Sequence, residues 1–512
     1  MEVEQGGGVI NIITKKSKKD RLALNSNFNF FENGNAGSEL GANIAKVLND
    51  NAAVNLNIQG FDTKGYQDGT KQKGYYANSK LLLDLGEDVD LNLNFAYYLN
   101  NDENSGNLTK EQIEKDPTQN GGSPSKSKVQ RPELSADLKY HLNDSWDINA
   151  LAFWQRQKTE IDDNAKRMWF SGSWFEDSTE GVNLKTKYAY KENSYLIFGY
   201  DFTKHNSEFW SASVIGISKG DDTRDRHSFF ILDSHAFNDW FVLSGGARYE
   251  YADYEHLYSK SSNRSGTTSK DDYALELTPT FLYSDTGKAY VKFERGFILP
   301  TPYDFRERKN GDIIMNTDLK PESFITYEVG MSDYLWDFNE ITLAAYLTDS
   351  KDEIHKRGAG GHVSGNSKNE NIGKTRRYGF ELGLKQYFEN FNLYQNIAFV
   401  DATFASGEND GKRIPDVSKI KVVAGGEYFF TPNFKSFLDV TYFSSAYEDD
   451  RNKNKIDGYA LVDLGLAYTY KSVQINGGVK NLLDKEYFAY QNGDEYSPGN
   501  GRSYHLGARF VF

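Results

Sequence analysis

Four groups of side chains in this 512-residue sequence combine types suited to binding chemistry. Lys166, Arg167, Trp169, Phe170, Trp174 and Phe175 set cations beside flat aromatic rings. That combination holds an anionic aromatic ligand by charge and cation-π contact, and it also anchors a chain at a membrane interface. Tyr303, Arg306, Arg308 and Lys309 repeat it with Asp304 and Glu307 interleaved, so local ion pairing and solvation compete with ligand binding. Arg376 and Arg377 are adjacent, and on a strand only one of them can point to a given face. His355 and His362 could ligate a haem iron or another metal, or stand in solvent around the tract Gly358, Ala359, Gly360 and Gly361.

Catalytic constellations are poor. The carboxylate pairs Asp162 and Asp163, Asp221 and Asp222, and Asp449 and Asp450 are weak signals for calcium or acid-base work, and hydrated loops explain them as well. The glycine tract has no Lys-Ser or Lys-Thr after it and opens no helix, so it is not a phosphate loop. Zero Cys removes thiol nucleophiles, thiolate zinc and iron-sulfur clusters. No enzyme, cofactor or resident metal is expected. A net charge of -14, from 59 Lys+Arg against 73 Asp+Glu, is the reverse of a nucleic-acid footprint.

What must position these side chains is legible as a period of two. Over residues 89–100 one face reads Val89, Leu91, Leu93, Phe95, Tyr97, Leu99 and the other Asp90, Asn92, Asn94, Ala96, Tyr98, Asn100. The alternation returns at Ala460, Val462, Leu464, Leu466 and Tyr468, and at Tyr504, Leu506, Ala508, Phe510 and Phe512. Marking each such run gives about 22 strands, near the number of wide, plugged outer-membrane transporters. No stretch approaches the roughly 18 apolar residues of a membrane helix.

Connections alternate in length. Short turns fall near Asp50, Gly86, Asn143, Glu192, Asn238, Gly287, Asp337, Asn390, Pro432 and Tyr470. Long polar connections are expected at residues 62–74, 101–128, 161–177, 206–226, 254–270, 299–321, 351–373 and 482–500. An even strand count with short turns on one rim and long loops on the other describes an all-β chain: a transmembrane antiparallel β-barrel with short periplasmic turns and long extracellular loops. A soluble all-β protein is the alternative. The mean hydropathy of -0.68 fits the barrel, because only outward side chains need be apolar and inward ones face water. Aromatics, 15% of the chain, have a natural place in the interfacial girdles. In such a barrel Arg376 or Arg377 would line the upper lumen.

Several segments resemble the TonB-dependent outer-membrane receptors. Gly7, Gly8, Val9, Ile10, Asn11 and Ile12, on to Lys16, look like the end of that family's plug domain. Phe293, Glu294, Arg295, Gly296 and Phe297 with Pro300 and Thr301, then Asn316 to Glu322 and Tyr327, Glu328, Val329 and Gly330, are similar to the paired boxes around one long loop. Asn371, Ile372 and Gly373 with Tyr378, Gly379, Phe380 and Glu381 look like the next box. Gly478, Val479, Lys480, Asn481 and Leu482, on to Tyr487, then Gly501, Arg502, Ser503, Tyr504 and a terminal Phe, are the most specific piece.

The resemblance implies energised import of a scarce nutrient, most often a ferric siderophore, with the TonB complex as partner of a plug-containing form. It also implies residence in the outer membrane of a Gram-negative bacterium, among its lipid and lipopolysaccharide, as a monomer. Residues 1–16 would be the residual end of a plug and residues 17–512 the barrel, so most of the plug is expected to be missing and a passive open pore is the alternative. Haem, cobalamin or another nutrient are alternative ligands; relatives that take haem often carry a His between the paired boxes, and none occurs over residues 295–319. The ligand candidates carried forward are Arg167, Trp169, Trp174, Tyr303, Arg306, Arg308, Arg376 and Arg377.

Overall fold

The computed structural model describes residues 19–121, 125–162, 170–213, 216–259, 263–309, 312–358 and 367–512. Twenty-two strands form one antiparallel ring. Each pairs with its sequence neighbours, and the first, Arg21–Phe31, closes on the last, Ser503–Val511, through the pairs Leu24 with Phe510, Phe28 with Leu506 and Phe30 with Tyr504. Closure joins the first strand to the last, so the ring has no open side on which a whole strand of backbone donors and acceptors would be left unpaired.

All 22 expected strands are present, and the alternation decides their faces. Leu93, Phe95, Leu134, Phe229, Tyr249 and Tyr273 are exposed on the outside, the surface that lipid covers. Their strand neighbours Asn92, Asn94, Arg248 and Glu250 face the lumen, one side chain later in the pleat.

The short-turn rim uses one device repeatedly. At Asn49, Asn143 and Asn238 the ladder register shifts by a bulge, and the Asn side chain accepts from the N–H two residues on: Asn51, Ser145 and Trp240. Asn193, at φ 55°, supplies the left-handed residue of another such turn.

The other rim departs from the expected loops. Residues 161–177, 206–226 and 254–270 are mostly strand: Phe170–Lys191, Ser194–Ser213, Gly216–Asn238, Phe241–Ser259 and Asn263–Leu282 run 19 to 23 residues. Their upper outward positions turn from Ile231, Phe229 and Tyr249 to Asp225, Asp253 and Glu255. Charged side chains break the continuous apolar face there, with Leu257 and Ile217 isolated beyond it, while the backbone ladder continues because it needs no apolar side chain. A six-residue helix, Lys110–Lys115, sits in the connection before Ser125–Asn143, capped by Thr109 and Gln112. It is too short to give a periodic signal.

Candidate ligand-binding site

The connection between Lys288–Ile298 and Glu322–Leu335 folds down onto the inner wall of Phe241–Ser259. Phe305, 1% exposed, packs edge-on against Tyr254 with ring centroids 4.8 Å apart, and Leu299 and Leu319 close the same cluster. The Tyr254 hydroxyl donates to the Pro300 carbonyl at 2.8 Å, and the Lys270 ammonium donates to the Thr317 carbonyl at 2.9 Å.

Beside this apolar joint lies a buried ionic one. Arg306 donates through Nε (3.0 Å) and Nη2 to Oδ2 of Asp222, whose other oxygen meets Nδ1 of His256. Asp222 and His256 are 1% and 3% exposed. The guanidinium also lies 4.4 Å from the Phe209 ring centroid and 5.0 Å from that of Tyr303, which is 60% exposed. Arg306 is thus a charge-neutralised platform whose outer aromatic, Tyr303, is free to touch a ligand. Next to Asp222, the Asp221 carboxyl is pushed above its ordinary range, by burial first and then by Asp222 and Glu255.

This connection is joined to the one after Asn339–Lys351. Arg306–Lys309, Asp312–Met315, Ile354–Gly358 and Ser367–Asn371 form a small four-stranded sheet. The Asn369 amide donates to the Asp304 carbonyl (3.1 Å), and Asn371 accepts from the Lys320 N–H and donates to the Lys320 carbonyl, each at 2.9 Å. At its base, Arg377 holds Glu353 (2.6 Å) and the Thr375 hydroxyl (2.8 Å). Arg376 points the other way and grips Asp349 from the outside with both Nε and Nη2. Of the adjacent pair, Arg377 is the inward one.

Trp174 stands on the outward face, directly opposite Trp210, with Lys158 6.0 Å from its ring. Phe175, one residue on, faces the lumen opposite Phe209. Lys166, Arg167, Trp169 and His362 lie outside the described residues, as do the side chains of Phe170, Arg308 and Lys309. His355 reaches Asp450 of a neighbouring loop at 3.3 Å. The fold therefore gathers Phe175, Tyr303 and Arg306 on one inner sector and sends Trp174 and Arg376 outside. The sequence offers Asp222 only in a carboxylate pair of an expected hydrated loop and gives no signal at His256; continuing the period of two puts Asp222, Arg224 and Arg226 on one inner face. Among the described residues no group of three or more His, Cys, Asp or Glu could hold a metal.

A second set of connections knits together around the closing strands. Leu108, Ile113 and Tyr496 form a small core with Phe488 against it, Gln67 donates to the Gly106 and Gln119 carbonyls at 3.1 Å, and Arg502 pairs with Glu32 at 3.0 Å.

Residues 74–482 match the family described as TonB dependent receptor-like, beta-barrel. The vitamin B12 transporter BtuB of Photobacterium profundum is 23% identical over 350 residues, 66% of this chain and 52% of that protein. An uncharacterized TonB-dependent receptor of Haemophilus influenzae is 27% identical over 287 residues, 52% of this chain and 79% of its own length. The chain thus spans about half of the B12 transporter. Among solved structures, the ferric citrate transporter FecA in its unliganded form superposes with a TM-score of 0.86 over 99% of this chain and 81% of that one, at 15% identity. The ferric yersiniabactin uptake receptor FyuA from Yersinia pestis does so with a TM-score of 0.82 over 98% and 81%, at 16% identity. At such identities the likeness is one of fold.

Proposed function

This chain belongs to the TonB-dependent receptor-like β-barrel family, and on that premise we propose that it is the barrel of an outer-membrane receptor importing a ferric siderophore. The observation that carries the reading is the family match over residues 74–482 on a closed ring of 22 strands. The ferric-chelate transporters among the structures of the same fold support it. In this reading the lipid-facing band sits in the outer membrane of a Gram-negative bacterium, bounded by lipopolysaccharide, and the TonB complex energises transport by a monomer. Residues 1–16 are proposed as the end of a plug and residues 17–512 as the barrel. Tyr303 over Arg306, with Phe175 on the adjoining wall, is the proposed aromatic contact for the chelate.

A cobalamin reading is favoured by one observation, the similarity to a B12 transporter. Deleting the gene in its host and measuring growth and 55Fe uptake with ferric citrate, ferric enterobactin and ferric yersiniabactin, alongside cyanocobalamin-dependent growth, separates the two. Loss of use of one ferric chelate, restored by the gene, supports the siderophore reading. Loss of cobalamin use alone would replace it, and indifference to every probe would sink the receptor reading.

A further inference from the structure

The inner wall of the barrel is chemically lopsided. Around Phe241–Ser259 it is ion-paired: Arg248 meets Asp201 at 2.9 Å and Glu250 at 3.2 Å, and Arg226 reaches Glu250 at 3.7 Å. From Arg21–Phe31 to Val89–Asn104 the inward positions instead carry a cluster of neutral amides, Asn25, Asn27, Asn43, Asn57, Asn78 and Asn94 among them, with the charges Glu39 and Lys80 set between them. Asn43, Asn57 and Asn78 stand directly opposite one another across three strands, and the Asn78 amide donates to Asn94 Oδ1 at 2.6 Å. Asn100, 7% exposed on the same face, keeps a side-chain oxygen without a hydrogen-bond partner, and the Asn55 side-chain nitrogen is likewise unpartnered.

Passage through a pore requires binding strong enough to admit a solute, yet weak and repeated enough to release it. Charged groups trap, because a hydrogen bond to an ionised partner is about twice as strong as one between neutral groups. An amide offers a donor and an acceptor with no net charge, and neighbouring strands repeat it about every 4.8 Å around the wall. We infer that this amide-lined sector is the face of the lumen that the solute touches as it passes, and that it suits a solute rich in carbonyl and hydroxyl oxygens. The ion-paired sector is the rigid side. The inference rests on the transport reading above and adds the route within it.

These 512 residues contain no Cys, so single-cysteine labelling is clean within them. Asn57→Cys and Asn94→Cys, with Thr278→Cys as the comparison on the inward face of the ion-paired side, are placed in the full receptor in cells and treated with a cationic methanethiosulfonate. Uptake of 55Fe from ferric citrate, ferric enterobactin and ferric yersiniabactin is then followed. For whichever chelate the untreated receptor imports, labelling at either amide position should slow uptake at least about tenfold while surface binding stays within about twofold, and labelling at Thr278 should change uptake less than about twofold. Asn57→Asp and Asn94→Asp, which bring a charge without a reagent, should slow uptake in the same way at unchanged outer-membrane abundance. Equal block at all three positions, or block at Thr278 alone, overturns the assignment. If untreated cells import none of the chelates, the receptor reading itself has failed and the route falls with it.

Discussion

Asp222, deep in the inner wall, accepts both Nε and Nη2 of Arg306, a residue 84 positions further along the chain in the connection that folds into the barrel mouth. Removing one partner of a buried pair strands the other and costs about 3–5 kcal/mol, whereas replacing both with apolar side chains of similar volume is far milder. Asp222→Ala should therefore loosen residues 299–321 locally without unfolding the ring, and the triple change Asp222→Leu, Arg306→Met and His256→Leu, which strands no buried polar partner, should largely keep them docked. Mass-spectrometric timing of proteolysis within residues 299–321 checks this. Cleavage as slow in Asp222→Ala as in the parent would show that the apolar joint at Phe305 and the hydrogen bonds to Tyr254, Lys270, Asn369 and Asn371 hold the connection without the ion pair.

The same pair marks where the sequence was legible. Strand count, closure and faces follow from the alternation because lipid demands an apolar outward residue at every second position, as at Leu93 and Phe95. Above the membrane that demand lapses. Strands such as Gly216–Asn238 continue on their backbone ladder with Asp225 and Thr223 outside, so the apolar signal stops before the strand does, and Asp222 and His256 disappear into what reads as loop. Arg306 reads from the sequence as a ligand contact or a local partner of Asp304 and Glu307, and no spacing points to Asp222, the carboxylate it meets. That only one of Arg376 and Arg377 can face inward follows from the pleat; which one does, Arg377, and the carboxylate of each, Glu353 and Asp349, are given by the structure.

Opposite pH responses are expected at the base of the small sheet. Burial would raise the Glu353 carboxyl, but the hydrogen bond and charge of Arg377 and the Thr375 hydroxyl outweigh it and hold it below its ordinary range. Its contribution is present above the unfolded carboxyl value of about 4.3 and is lost as pH falls through the lower folded value. Glu322 is raised by burial first, partly offset by the Ile354 N–H and reinforced by Glu353, so its contribution is present below about 4.3 and is lost as pH rises through its folded value. Hydrogen exchange at the Ile354 and Ile372 amides should report both, with Glu353→Gln flattening the acid limb and Glu322→Gln the other. Identical profiles in the two variants would contradict these opposed signs.

Gly220 is a packing requirement. A Cβ there would run into the Phe209 ring, the ring that carries the Arg306 guanidinium at 4.4 Å. Gly220→Ala must push Phe209 aside, an overpacking cost of about 1–3 kcal/mol that should also loosen Arg306. At Gly60 an added Cβ meets nothing closer than the Gly74 carbonyl at 3.9 Å, so Gly60→Ala should be nearly silent. Comparing proteolysis within residues 299–321 and the melting temperature of the two variants in detergent separates a local role for Gly220 from a general glycine effect; equal behaviour would remove it.

Placement also separates the aromatic candidates. Tyr303 is exposed over a neutralised guanidinium beside the inner wall, whereas Trp174 is on the outer face against Trp210 and Lys158. If the imported chelate enters through the mouth, Tyr303→Ala should weaken its binding by about 0.5–2 kcal/mol, the worth of an aromatic contact and its cation-π partner. Trp174→Ala should leave affinity unchanged. Isothermal titration of the detergent-solubilised receptor with the chelate identified by growth decides it. The reverse order, with Trp174 costing affinity and Tyr303 not, would mean that the ligand docks on the outside of the extended hairpins and that the inner shelf serves only to brace the wall.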